Sequence, residues 1–242
     1  MNRSAPQRNR QAGFSLIEVM VSILVLTIIM GAVFAQVNNV QKKTKVESLK
    51  LDLTQEGREF VDQFVRDIHM SGYPTSKLFQ TTTTATTQSV ALGLVLATPT
   101  EMRFEGDVYG DGNSNATVYT VSYKYFAVDP DPNCPCVRRS VAPKDPAVNP
   151  VTGYPNPIYY TEVQNVIDPT GMAQVIFTYF QASGDPVDVG TGININTPAG
   201  LSTIQLIDAI KVNLNTRSLQ FDPHTGQRTV VSSIAAIAEL EN

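Results

Sequence analysis

From Phe14 to Val37 the chain is apolar apart from one carboxylate, Glu18, and between Val19 and Gln41 it carries no ionisable residue at all. As a helix, such a run of about two dozen residues spans roughly 33–36 Å, which matches a hydrocarbon core of about 30 Å. The segment before it, MNRSAPQRNRQAG, holds Arg3, Arg8 and Arg10 and no acid. A basic flank on one side only predicts a cytoplasmic N-terminus for a single membrane span. Glu18 is the residue that a plain anchor does not explain. An intramembrane charge is costly, less so near a helix end, and is normally avoided unless it meets a partner.

A secretory signal is the competing reading. It needs a basic start, an apolar stretch and small residues at the cut, and Val33-Phe34-Ala35 before Gln36 supplies a candidate site. Against it stand the length of the apolar run, beyond the usual stretch of about 7–15 residues, and the carboxylate in its first turns. A permanent anchor that is never cut is a further alternative. Loss of the first 13 residues, of the first 35, or of none would separate the three readings.

The segment Gly13-Phe14-Ser15-Leu16-Ile17-Glu18-Val19-Met20-Val21-Ser22 resembles the N-terminal signal of the prepilin-type cleavage and methylation family, which includes type IV pilins and the pseudopilins of type II secretion. The resemblance implies that a membrane-embedded prepilin peptidase cuts after Gly13 and that the new amino terminus on Phe14 is methylated. It also implies that Glu18 pairs with the amine of a neighbouring subunit during assembly. Physically, glycine offers an extended leader little steric hindrance in a narrow cleft. Cutting there removes the arginines and keeps the apolar helix. If the first turn is helical, the Phe14 amine and the Glu18 carboxylate share a face. In a low dielectric, leaving either charge alone costs several kcal/mol, so their pairing would set a packing register.

Beyond the apolar run the chain turns polar but keeps a helical period. Val46, Leu49, Leu53, Phe60, Phe64 and Ile68 recur mostly at three- and four-residue steps, with a gap at Glu56-Gly57, and Val61 and Val65 widen the stripe. This predicts an amphipathic helix packed on a domain. Lys42, Lys43 and Lys45 read as a solvated face or headgroup contacts. Gly72-Tyr73-Pro74 predicts the end of a helix of up to about 57 residues.

The remainder is rich in β-branched and aromatic runs broken by Gly, Pro, Asn and Asp. Strands are expected near 90–96, 101–108, 118–128, 137–142, 158–167, 173–181, 204–214 and 229–240. The last run, Ile234–Ala238, fits a helix equally well. Thr81–Thr87 is a low-complexity surface loop. Phe177, Tyr179, Tyr123 and Tyr125 occupy alternating positions and read as packing aromatics. The expected organisation is a leader at 1–13, a membrane and assembly helix at 14–37, an amphipathic stem at 38–72 and a β-rich head at 73–242. The fold class is α+β: a long N-terminal helix packed on an antiparallel β-rich head, as in type IV pilins. The helix end, the size and the β-rich head resemble PilW-type minor pilins and J-type minor pseudopilins.

Few residues invite chemistry. Net charge is −4, with 18 basic and 22 acidic residues, so no basic body exists to hold a nucleic-acid backbone. Asp107, Asp111 and Asn113 are the only calcium candidates, but the EF-hand pattern fails because Tyr109 and Val118 stand at its third and twelfth positions. A bare turn is the better reading, and no metal site or cofactor is expected. Cys134-Pro135-Cys136 lacks the two-residue spacing of a thioredoxin-like motif; in the oxidising compartment that the resemblance implies, a local Cys134–Cys136 disulfide and free or intermolecular thiols are the alternatives. His69 reads as a helix-terminal surface residue and His224 as part of a turn. No catalytic grouping is legible, so the expectation is a structural subunit rather than an enzyme. Its partners would be the prepilin peptidase, other pilin or pseudopilin subunits through the N-terminal helix, and the inner membrane. The head would be periplasmic or extracellular, and the mature protein would move into a pilus or pseudopilus.

Overall fold

The computed structural model of the chain describes residues 14–74, 90–110, 117–128, 134–145, 147–152, 157–167, 176–222 and 226–240. One helix, α1, runs Leu16–His69 without interruption. Contacts divide the chain into two units, Met1–Glu47 and Ser48–Asn242. The second unit therefore takes in the last turns of α1 as well as the head, because that stretch carries the apolar stripe. Gly57, Phe60, Phe64 and Ile68 of α1 are all buried. The gap in the stripe at Glu56-Gly57 is thus a buried glycine rather than an exposed turn.

Among the described residues, ten strands and one short helix follow: β1 Gly93–Ala97, β2 Glu101–Gly106, β3 Tyr119–Phe126, β4 Cys136–Pro143, β5 Tyr160–Val163, β6 Phe177–Phe180, β7 Pro186–Val187, β8 Ile193–Asn194, α2 Pro198–Ile204, β9 Ala209–Phe221 and β10 Arg228–Glu239. They form a six-stranded sheet in the order β5-β4-β3-β2-β1-β8 and a four-stranded sheet in the order β10-β9-β6-β7. Every strand pairing is antiparallel. This is the α+β arrangement expected, with a long N-terminal helix packed on antiparallel sheets.

Three local readings change. The run at 204–214 is not one strand. Ile204 ends α2, which starts where the Thr197 hydroxyl accepts from Gly200 N and Pro198 occupies the first turn. These are the usual preferences of a helix start, and β9 begins only at Ala209. The alanine-rich run at Ile234–Ala238 lies in β10, where its register opposite Leu214 to Ile210 of β9 supplies the ladder that propensity alone did not. The strand expected at 158–167 is confined to Tyr160–Val163, with a separate bridge from Val166 to Thr216. Strands β7 and β8, of two residues each, are too short to leave a period.

The core forms where the helix meets both sheets. Phe64 packs edge-on against Tyr123 of β3 at 5.5 Å and stacks on Phe177 of β6 at 6.1 Å, so one side chain touches both sheets. Phe60 adds an edge contact to Tyr123 at 5.8 Å. Aromatic pairs of this geometry contribute beyond their buried area. Alternation along β2 points Met102 and Phe104 into this core and turns Glu101, Arg103 and Glu105 to the opposite face. The helix end is stitched to β2: Gly72 N donates to Glu105 O at 2.9 Å and Asp107 N to Tyr73 O at 2.8 Å. Gly106 permits the approach, since a Cβ there would lie 2.2 Å from Met70 O.

Candidate functional site

The first candidate is the exposed part of α1. Leu16 is the first helical residue, and Ser15 O accepts from Glu18 N at 3.0 Å and Val19 N at 3.2 Å. Glu18 therefore sits in the first turn, where the positive end of the helix dipole favours a carboxylate. Phe14 precedes the helix, so the face-sharing of Phe14 and Glu18 expected from a helical first turn does not apply here. The Phe14 side chain borders a shallow groove with Val19, Ser22, Ile23 and Leu26, and is 83% exposed. Every residue from 14 to 45 is exposed. The most apolar window of α1 has a mean hydropathy of 2.6 and none of it is buried within the protein. The span from Leu16 to Val37 covers about 33 Å at 1.5 Å per residue.

Two hydroxyls of that run are satisfied locally. Ser22 Oγ donates to Glu18 O at 2.7 Å and Thr27 Oγ1 to Ile23 O at 2.8 Å. Hydroxyls that return to the preceding turn present no unmet donor to an apolar solvent, which is the condition a membrane imposes. Glu18 is left as the one charge of the span.

The second candidate is a polar cluster where α1 meets β3 and β4. Asp67 is buried on the apolar side of the helix; its Oδ2 accepts from Arg139 Nε at 2.7 Å and from the Tyr123 hydroxyl at 2.7 Å. Its Oδ1 accepts from Gln63 Nε2 at 2.6 Å, and Arg66 Nη2 donates to Gln63 Oε1 at 2.8 Å. Burial, followed by the Asp67 charge, pushes the Tyr123 hydroxyl well above its ordinary value. Beside it, burial raises the carboxyls of Glu56 and Glu162, with the Arg139 charge lowering Glu162 in part. A second buried pair, Lys144 Nζ to Glu105 Oε2 at 2.7 Å, lies on the opposite face of the sheet. Sequence reasoning missed both. The available signal for Asp67 was its spacing, three residues after Phe64 and seven after Phe60, which places a carboxylate on the apolar stripe.

The remaining residues singled out by sequence fall as follows. Cys134 and Cys136 are bonded to each other at the start of β4, with Cα atoms 4.4 Å apart. Asp107 is buried and caps a turn, its Oδ1 accepting from Gly110 N at 3.1 Å; Asp111 and Asn113 lie outside the described residues. So do Gly13, the Thr81–Thr87 loop and His224. His69 is the exposed last residue of α1. Among the described residues, no group of three or more His, Cys, Asp or Glu side chains is placed to hold a metal.

Residues 8–34 match the prokaryotic N-terminal methylation motif. The match spans Gly13, Phe14 and Glu18 and the apolar run as far as Phe34. No curated protein and no solved structure matches the chain. This motif, the signal of the prepilin-type cleavage and methylation family, leads into a long helix packed on antiparallel sheets, a type IV pilin-like architecture.

Proposed function

We propose that this protein is a structural, non-catalytic minor pilin or pseudopilin subunit. It is cut by a prepilin peptidase after Gly13, methylated on Phe14, and drawn from the inner membrane into a type IV pilus or a type II secretion pseudopilus. The observation that carries this reading is the methylation motif at 8–34 opening a continuous helix whose later turns form the core of a β-rich head. A secretory cut after Ala35 would instead discard the apolar helix and fall within α1. Assembly follows from the same helix, since an apolar all-round surface must find other apolar surface once it leaves lipid. Heterologous packing of one such helix against the next extends without closing. Glu18 then neutralises the amine of a neighbouring Phe14, because each charge is costly alone in a dry interface.

Mass spectrometry of the protein from its native membrane tests processing directly. The mature chain should begin at Phe14 and be about 14 Da heavier by one methyl group. A chain beginning at Gln36 would discard the pilin reading in favour of a secreted β-rich domain, and an uncut chain in favour of a permanent anchor. Glu18→Ala should leave the head folded and cutting intact while reducing incorporation into the fibre; full incorporation would remove Glu18 from the assembly step.

A further inference from the structure

A groove of about 540 Å³ opens in the head beside the last turns of α1. Its polar wall is cationic. Arg139 is held through Nε by Asp67 at 2.7 Å, and Arg66 is held through Nη2 by Gln63 at 2.8 Å. His69 stands on the same rim. The one carboxylate of the groove, Asp67, is already satisfied at both oxygens by Gln63, Tyr123 and Arg139. Among the described residues no carboxylate lies within ion-pair distance of Arg66 or His69. Met70, Val108 and Tyr109 add apolar surface to the same lining. Tyr109 is 67% exposed and is braced edge-on by Tyr119 at 4.8 Å.

Guanidiniums whose positions are fixed before binding are well suited to a planar anion, because their donors form a rigid fork and little freedom is lost. An aromatic side chain in the same lining, Tyr109, suits a ring-sized body with an apolar face. The volume is that of a small-molecule site rather than of a macromolecular interface. Glu56, Glu59 and Glu162 line an adjoining groove that shares Gln63, Arg66 and Arg139 with this one, which disfavours a highly charged ligand such as a polyphosphate. We infer that this groove binds a sugar bearing a single carboxylate, of the uronate class, with the carboxylate on Arg66 and Arg139 and the ring against Tyr109.

The inference is independent of how the N-terminus is processed. Its test is saturation-transfer NMR on the full chain in detergent, titrated with glucuronate, glucose and acetate. Glucuronate should bind saturably, weaken with added salt, and bind more tightly than either control. Arg66→Gln and Tyr109→Ala alter exposed side chains outside the core, and each should weaken glucuronate binding about five- to tenfold, the loss of one contact to a charged group or of one apolar platform. Equal binding of glucose would overturn the carboxylate assignment, and equal binding of acetate the sugar assignment. Unchanged affinity in both variants, or no binding of glucuronate by the folded protein, would overturn the site.

Discussion

Residues 14–45 are exposed at every position, whereas from Val46 onward partly buried residues recur in α1 and give way to the fully buried Phe60, Phe64 and Ile68. Both stretches belong to one helix with one ladder of backbone bonds. They differ in what surrounds the side chains. As far as Val37 the first stretch is apolar nearly all round and returns the hydroxyls of Ser22 and Thr27 to its own backbone, as an environment without water demands. The second is amphipathic, and its buried stripe reads two sheets at once through Phe64. Helix formation alone therefore says little about either half; the apolar pattern around the helix axis says which solvent each was built for.

The sharpest way to break this comparison is to truncate one side chain in each half. Phe64→Ala should lower head stability by about 3–5 kcal/mol, since it empties the contact between helix and both sheets. Leu24→Ala should change it by no more than about 0.5 kcal/mol, as expected for a position outside the packed core. Thermal or denaturant unfolding followed in the head reports both, and equal effects would mean that the two halves are not energetically distinct.

Asp67→Ala comes next, at about 2–3 kcal/mol. Removing one partner of a buried pair strands the other, but the cost stays below the fully buried limit because the Arg139 side chain keeps 16% of its exposure. Gly106→Ala should cost about 1–3 kcal/mol as overpacking, because the added methyl meets the Met70 carbonyl and pushes the helix end from β2. Loss of amide-exchange protection at Gly72 and Asp107, which bond across that seam, would locate the damage.

The smallest effect is electrostatic. Glu162 has a raised carboxyl pKa, chiefly through burial. The folded state therefore favours its protonated form. Stability from this group is fully present below the ordinary carboxyl value of 4.5 and is lost as pH rises through the higher folded value. Glu162→Gln should then stabilise the head at neutral pH by less than about 1 kcal/mol, discounted for its partial exposure. The gain should vanish below pH 4.5. A gain that persists there would assign the effect to packing instead.

Much of this protein was legible before its fold. The apolar run, the Gly13–Glu18 spacing and the stripe from Val46 to Ile68 are local patterns, and a helix needs only local patterns to declare itself. The alternating runs of β2, β3 and β4 were visible for the same reason. The α2 start was also written locally, in Thr197-Pro198, yet the neighbouring apolar run at Ile204–Leu214 masked it. What the chain alone could not reveal are relations across distance. Asp67 meets Tyr123 and Arg139 at separations of 56 and 72 residues, and Lys144 meets Glu105 across 39. A carboxylate on an apolar stripe gives no hint of which strand will answer it.

The sequence by itself determined the membrane-length helix, the processing motif and the α+β class, because each rests on periodicity, spacing and composition within a few turns of chain. Only the tertiary structure decided which sheet each strand joined, that Phe64 would link them, and that Gln63, Arg66, Asp67 and Arg139 would meet in one hydrogen-bonded chain beside Tyr109. Those outcomes depend on which distant surfaces bury one another, a choice set by the packing of the whole core rather than by any segment of it.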